Sequence, residues 1–163
     1  LDDDLKAKRD FMRANLICGI LAISLLAVEK AEELFKQLEI DEDCSWISEF
    51  CTEQDLSFYA LIILLFSPNY DTFKSCYENP AIKRMVRMSP QSRNVVSLIL
   101  KKEFREAKQQ LDKIFAGLRY DPFISRSLPE LAYPIHLNLI NYVYAVLTIV
   151  PVQLHEGEDI DGG

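Results

Sequence analysis

The chain has 163 residues, 49% of them apolar and 26% charged, which fits one globular domain and argues against disorder. Five glycines and seven prolines exclude collagen-like repeats and disfavour a turn-dense all-β fold. A formal net charge of −7 opposes attraction of the whole molecule to nucleic acid or anionic lipid.

The opening Leu1-Asp2-Asp3-Asp4 is acidic, the reverse of a secretory leader. From Leu5 to about Ser24 the pattern is helical. Phe11, Ala14, Ile17, Cys18, Leu21 and Leu25 fall on one stripe at spacings of three and four. After a short break, Val28 to Leu38 is amphipathic. Ala31, Leu34, Phe35 and Leu38 form its apolar face, and Glu29, Lys30, Glu32, Glu33 and Lys36 its polar one. Asp41 to Asp43 is a connector.

Thr52-Glu-Gln-Asp55 reads as a capping box. The helix behind it, Leu56 to Phe66, is apolar nearly all round, so it belongs at the centre of the domain. Ser67-Pro68-Asn69 ends it. A short helix spans Asp71 to Tyr77, and Asn79-Pro80 starts another to about Val86. Ser89-Pro90 opens the next, with Ser as N-cap and Pro in the first helical position. Phe104 to Leu118 follows, buried through Phe104, Ala107, Leu111, Ile114, Phe115 and Leu118. Pro129 to Val150 is the last helix, with Pro134 inside it and Pro151 as its stop. Leu16–Val28 and Leu56–Phe66 are too short to cross a bilayer, which takes roughly 20 residues. The expected architecture is all-α: stacked antiparallel helical pairs over residues 1–151, then an acidic tail over 152–163.

An internal echo supports the pairing. Val28-x-x-Ala31-x-x-x-Phe35 and Phe104-x-x-Ala107-x-x-x-Leu111 share one form, and each follows a helix after a tight break. The small Ala lets a partner helix approach while the large residues lock it, as in the second helix of tetratricopeptide-like pairs.

Chemistry-bearing residues are sparse. Cys18, Cys44, Cys51 and Cys76 show neither Cys-x-x-Cys nor zinc-finger spacing, and they read as reduced thiols, with Cys18 and Cys76 as buried small hydrophobes. His136 lies in an apolar helical run and reads as a hydrogen-bonded helix histidine; spacing alone leaves a Cys76–His136 pair open. No phosphate-binding glycine loop, nucleophile elbow or zinc-protease motif occurs, so neither catalysis, a cofactor nor a metal is expected. Charge is segregated. Glu29 to Asp55 holds ten acids against two lysines, and Lys83 to Lys108 holds eight bases against two acids. Either these are solvated, loosely complementary faces, or the basic one docks an acidic protein. Lys83, Arg84, Arg87 and Arg93 are the candidate contacts. No aromatic residues interleave with the bases as a nucleic-acid platform requires.

One ordered set of segments carries a resemblance. It runs from Tyr59 through Phe66-Ser-Pro-Asn-Tyr-Asp-Thr-Phe-Lys74, to Glu78-Asn79-Pro80, to Met88-Ser89-Pro90-Gln-Ser-Arg93. Phe104-Arg-Glu-Ala107, Leu111-Asp112, Tyr120-Asp121-Pro-Phe and Leu137-Asn-Leu-Ile140-Asn-Tyr142 follow. This resembles the helical part of PCI-domain subunits, in particular those of the COP9 signalosome and their proteasome-lid counterparts. The likeness spans roughly Leu5 to Val152 and is best from Leu56 to Tyr142. Ser89-Pro90 with Arg93 stands at the family's helix start, Phe104 with Leu111 on the next helix, and Asp121 in the connector. The resemblance implies a non-catalytic scaffold in the nucleus and cytoplasm, bound to other protein subunits of a complex that regulates cullin deneddylation. It implies no small-molecule, nucleic-acid or membrane partner. The family's winged helix and its upstream repeats are not expected in this chain, which reads as a fragment or a shortened member.

Overall fold

The computed structural model describes residues 2–41 and 43–147. The described residues form eight α-helices and two 3-10 turns, with no strand. The helices are α1 (Asp2–Ser24), α2 (Val28–Lys36), α3 (Glu53–Leu65), α4 (Tyr70–Tyr77), α5 (Pro80–Val86), α6 (Pro90–Leu100), α7 (Phe104–Leu118) and α8 (Leu128–Leu147). The 3-10 turns, Ser45–Glu49 and Ser125–Ser127, lie where no periodic signal stands in the sequence. Thr148 to Val150, the stop at Pro151, His155 and the acidic tail fall outside the described residues.

Helix α3 is the hub. Its start is fixed by the capping box: the Asp55 N–H donates to Thr52 Oγ1 at 3.0 Å, and the Thr52 N–H donates back to Asp55 Oδ2 at 3.2 Å. Every residue from Leu56 to Leu65 is buried. A helix without a polar face must be covered on all sides, and α3 packs on α1, α2, α4, α5, α6 and α8. Ser57 Oγ, fully buried within this helix, donates to the Val86 carbonyl at 2.7 Å and so ties α3 to α5.

The short helices start where their capping residues stand. Asn69 Oδ1 accepts the Thr72 N–H at 2.9 Å. Asn79 Oδ1 accepts from the N–H groups of Ala81 and Ile82, with Pro80 in the first helical turn. Ser89 holds the N-cap place of α6 but makes no side-chain cap bond, so only Pro90 contributes as the sequence suggests.

The internal echo corresponds to a repeated piece of structure. The hairpins α1/α2 and α6/α7 turn through the same device. Leu26, at φ 65°, and Lys102, at φ 64°, stand in the left-handed region. Ala27 N–H donates to the Ala22 carbonyl and Leu26 N–H to that of Ile23; Glu103 and Lys102 repeat both bonds onto Leu98 and Ile99. This is a Schellman closure, with Leu and Lys where Gly is usual. Ala31 and Phe35 in one hairpin, and Ala107 and Leu111 in the other, are buried as the motif requires. In the first hairpin the approach is close enough that a Cβ on Gly19 would lie 2.5 Å from Phe35 Cδ1.

Helix α1 departs from expectation. The residues that reach the core are Met12, Asn15, Leu16, Gly19, Ile20, Ala22 and Ile23. The stripe of Phe11, Ala14, Ile17, Cys18, Leu21 and Leu25 faces outward instead. The helix is apolar on two faces, and α2 covers only one of them. Cys18 is therefore exposed rather than a buried small hydrophobe, whereas Cys76 is buried as expected.

Candidate protein-binding surfaces

Three of the four candidate cations share one short element. Lys83 and Arg84 stand on α5 and Arg87 caps its C-terminus, while Arg93 stands on α6, which packs on α7 and α3. Lys83 Nζ lies 5.3 Å from the centre of the Tyr77 ring. Arg84 lines a shallow recess with Glu39, Asp41 and Pro80, so part of the basic segment faces part of the acidic one.

The two charged segments are satisfied differently. On the acidic side, Lys8 pairs with Glu39 at 2.5 Å, Arg13 with Glu49 at 3.0 Å and Lys36 with Glu32 at 2.8 Å. On the basic side, Lys108 pairs with Asp112 at 2.8 Å. Arg84, Arg87, Arg93, Lys101, Lys102 and Arg105 form no ion pair with a described residue. Unpaired cations therefore follow one another along α5, α6 and the start of α7.

Two helices also present apolar rows to solvent. On α1 the row runs through Phe11, at 55% exposure, Leu21 and Leu25, at 78%. On α8 it is Tyr133, Leu137, Ile140, Tyr144 and Leu147. These five follow at spacings of four, three, four and three, one side of a helix whose other side buries Leu131, Ile135, Leu139 and Tyr142. The sequence signal for the outer row was present in that spacing. It is masked because the inner row has a period of its own, and the sum looks apolar all round.

Beside the α8 row lies a groove of about 600 Å³ between the start of α7 and the second half of α8. Phe104, Leu139, Ile140 and Val143 supply its apolar lining, and Lys102, Arg105 and Lys108 stand among its charged groups. His136 borders it and lies 3.1 Å from Asp112 Oδ1, with its ring edge-on to Phe115. Burial pushes the Asp112 carboxyl upward, but the bonds from Lys108 and His136 outweigh it and hold the group below its usual range. His136 is thus the hydrogen-bonded helix histidine that the sequence suggests. Cys76 turns elsewhere: its thiol donates to Glu32 at 3.4 Å.

The buried polar groups tie the fold together. Tyr59 donates to Asp121 Oδ2 at 2.6 Å, and Asp121 Oδ1 accepts the N–H groups of Phe123 and Ile124. Burial first, then the bond to Asp121, raises the Tyr59 pKa far above its ordinary value. Burial pushes the thiols of Cys51 and Cys76 up to about 12, which keeps them protonated and poor nucleophiles at neutral pH. Among the described residues no group of three or more His, Cys, Asp or Glu could hold a metal ion, and no helix is long and apolar enough to cross a membrane. In comparisons with known proteins the chain matches no family model, no curated protein and no solved structure.

Proposed function

We propose that this chain is a non-catalytic scaffold that holds other proteins, built as stacked helical pairs of the tetratricopeptide-like or PCI kind. The observation that carries the reading is the pair of outward apolar rows on α1 and α8. A folded domain that exposes contiguous apolar rows on two helices gains stability when another polypeptide covers them. The repeated Schellman hairpins support the pairing of helices. The resemblance noted above makes a COP9 signalosome-type complex the setting, with regulation of cullin deneddylation as the process and the other subunits as partners.

Lys83, Arg84, Arg87 and Arg93 would then steer and hold an acidic partner surface, and the absence of ion pairs at the three arginines supports that role. The test is affinity purification of the tagged chain from its native cells, followed by identification of the captured proteins. Signalosome subunits in stoichiometric amounts support the assignment. Proteasome-lid subunits would move it to that complex, and capture of neither set would leave a standalone adaptor and end the signalosome reading. For the basic surface, R84E/R87E should weaken partner affinity at least about tenfold at low salt and much less at high salt. Unchanged affinity at low salt would remove these residues from the interface.

A further inference from the structure

We propose that the groove between the start of α7 and the second half of α8 is the docking site of this chain's own residues 149–161, which fold back over it from the end of α8. The groove holds about 600 Å³, with Phe104, Leu139, Ile140 and Val143 as its apolar lining. A cleft of that size and lining gains free energy when an apolar segment displaces its water. Its last contributor on α8 is Val143, and the described helix ends one turn further on, at Leu147. The sequence continues through residues 148–163, which reach roughly 50 Å when extended. The lining from His136 to Val143 covers only about 10 Å of α8, so the segment has ample length to turn back and cross it. The covalent link to α8 also gives this occupant an effective concentration on the order of millimolar, an advantage that no free polypeptide has.

The segment carries two blocks. The first is Ile149-Val150-Pro151-Val152-Gln153-Leu154. Pro151 opposes a helix through this block and biases Val150 to extended backbone; in an extended run Val150, Val152 and Leu154 fall on one side. Those three positions span roughly 13 Å, the scale of the apolar lining. The second block holds Glu156, Glu158, Asp159 and Asp161, with no Lys or Arg. Across the groove from α8, at the start of α7, stand the exposed Lys101, Lys102 and Arg105, none of which forms an ion pair with a described residue. Glu103 and Glu106 share this rim, so the acids pair with individual cations and not with a uniformly basic wall. A segment leaving α8 meets the apolar lining first and these cations second, which is the order of its own two blocks. Ile140 belongs both to the groove and to the outward row of α8, so the docked segment covers part of that row.

Nuclear magnetic resonance of the isotope-labelled 163-residue chain tests this. Backbone order parameters of Val150, Val152 and Leu154 should lie near about 0.85, the value of rigid backbone, and their methyl groups should show nuclear Overhauser contacts to the Phe104 ring within one molecule. Ile140→Glu, at an exposed position, and Leu154→Asp, outside the described fold, should each drop these order parameters below about 0.6 while leaving the helical circular dichroism intact. K101E/R105E should move the segment's resonances toward those of Leu154→Asp, more at low salt than at high salt. Order parameters below about 0.6 in the wild-type chain overturn the proposal, whether another protein or water then fills the groove. A segment that is ordered but indifferent to Ile140→Glu, or to K101E/R105E at low salt, overturns it as well. So do contacts to Phe104 that arise only between labelled and unlabelled chains, which would place the segment on a second copy. The scaffold reading is separate, because it is decided by which other proteins co-purify.

Discussion

Helices α1 and α3 are both rich in large apolar residues, yet they end in opposite situations. From Leu56 to Leu65, α3 is buried on every side because six other helices pack on it. Helix α1 buries one apolar face and leaves a second in water. Hydropathy sets how much surface a helix needs covered; the number of neighbours within the chain decides how much of it is covered. The surplus on α1 stays in water within the described domain, which is why α1 is proposed as a surface for association rather than part of the core.

Substitutions can break this comparison. Leu61→Ala in α3 should cost about 3 kcal/mol in urea or thermal unfolding, because it opens a cavity in a fully buried position. Leu21→Ala in α1 should cost less than about 0.5 kcal/mol when measured at low protein concentration. Equal costs would show that the outward row of α1 is covered within the chain itself. The inner face of α1 is a different matter. Gly19→Ala should destabilise by about 2 kcal/mol, although Ala favours helix, because the added methyl meets the fully buried Phe35 ring. A stabilised variant would mean that the hairpin can spread.

Between α1 and α2, Leu26→Gly should stabilise by about 1 kcal/mol, since Gly adopts the left-handed turn without the Cβ penalty; Lys102→Gly should act likewise in the second hairpin. Unfolding midpoints of the two variants, compared with wild type, check this. The smallest effect is expected at the rim of the α7/α8 groove. Asp112 is held below its ordinary value of 3.8, so its contribution is present at neutral pH and is lost as pH falls through that value and below it. Asp112→Asn should cost about 0.5 kcal/mol at pH 7, a small figure because the pair is half exposed and screened by solvent. The cost should shrink as pH falls below 3.8, and a cost that persists once the carboxyl is fully protonated would assign it to packing instead.

Much of the fold is legible in the sequence where a local chemical signal is strong. Thr52 with Asp55, Asn79 with Pro80, and the repeated Ala-centred motif each fix an element that the structure contains. The turn at Ser45–Glu49 escapes because five residues give no period to read. The burial of α1 escapes for a different reason. Both of its faces are apolar, and sequence spacing cannot say which one the chain itself covers. For the same cause the outer row of α8 is hidden behind its inner row. The cations Lys83, Arg84, Arg87 and Arg93 are legible as a charge excess, but only coordinates show that Glu32, Glu33, Glu39 and Glu49 are paired with other cations and that these three arginines form no ion pair with a described residue.

The end of α3 depends on side chains far along the chain. Asn138 Nδ2 donates to the Leu65 carbonyl at 2.9 Å, and the Tyr142 hydroxyl donates to the Ser67 carbonyl at 2.5 Å. The Leu65 carbonyl is one that a helix terminus leaves without an intrahelical donor, and Ser67 lies just past the C-cap Phe66. Any shortened form that ends before Tyr142 would strip the hub helix of its lid and wet the rings of Tyr70 and Phe73, which pack against Tyr142 in the full domain. The minimal autonomous folding unit therefore extends past residue 142, and expression pieces or splice forms that stop earlier are expected to be recovered as aggregates.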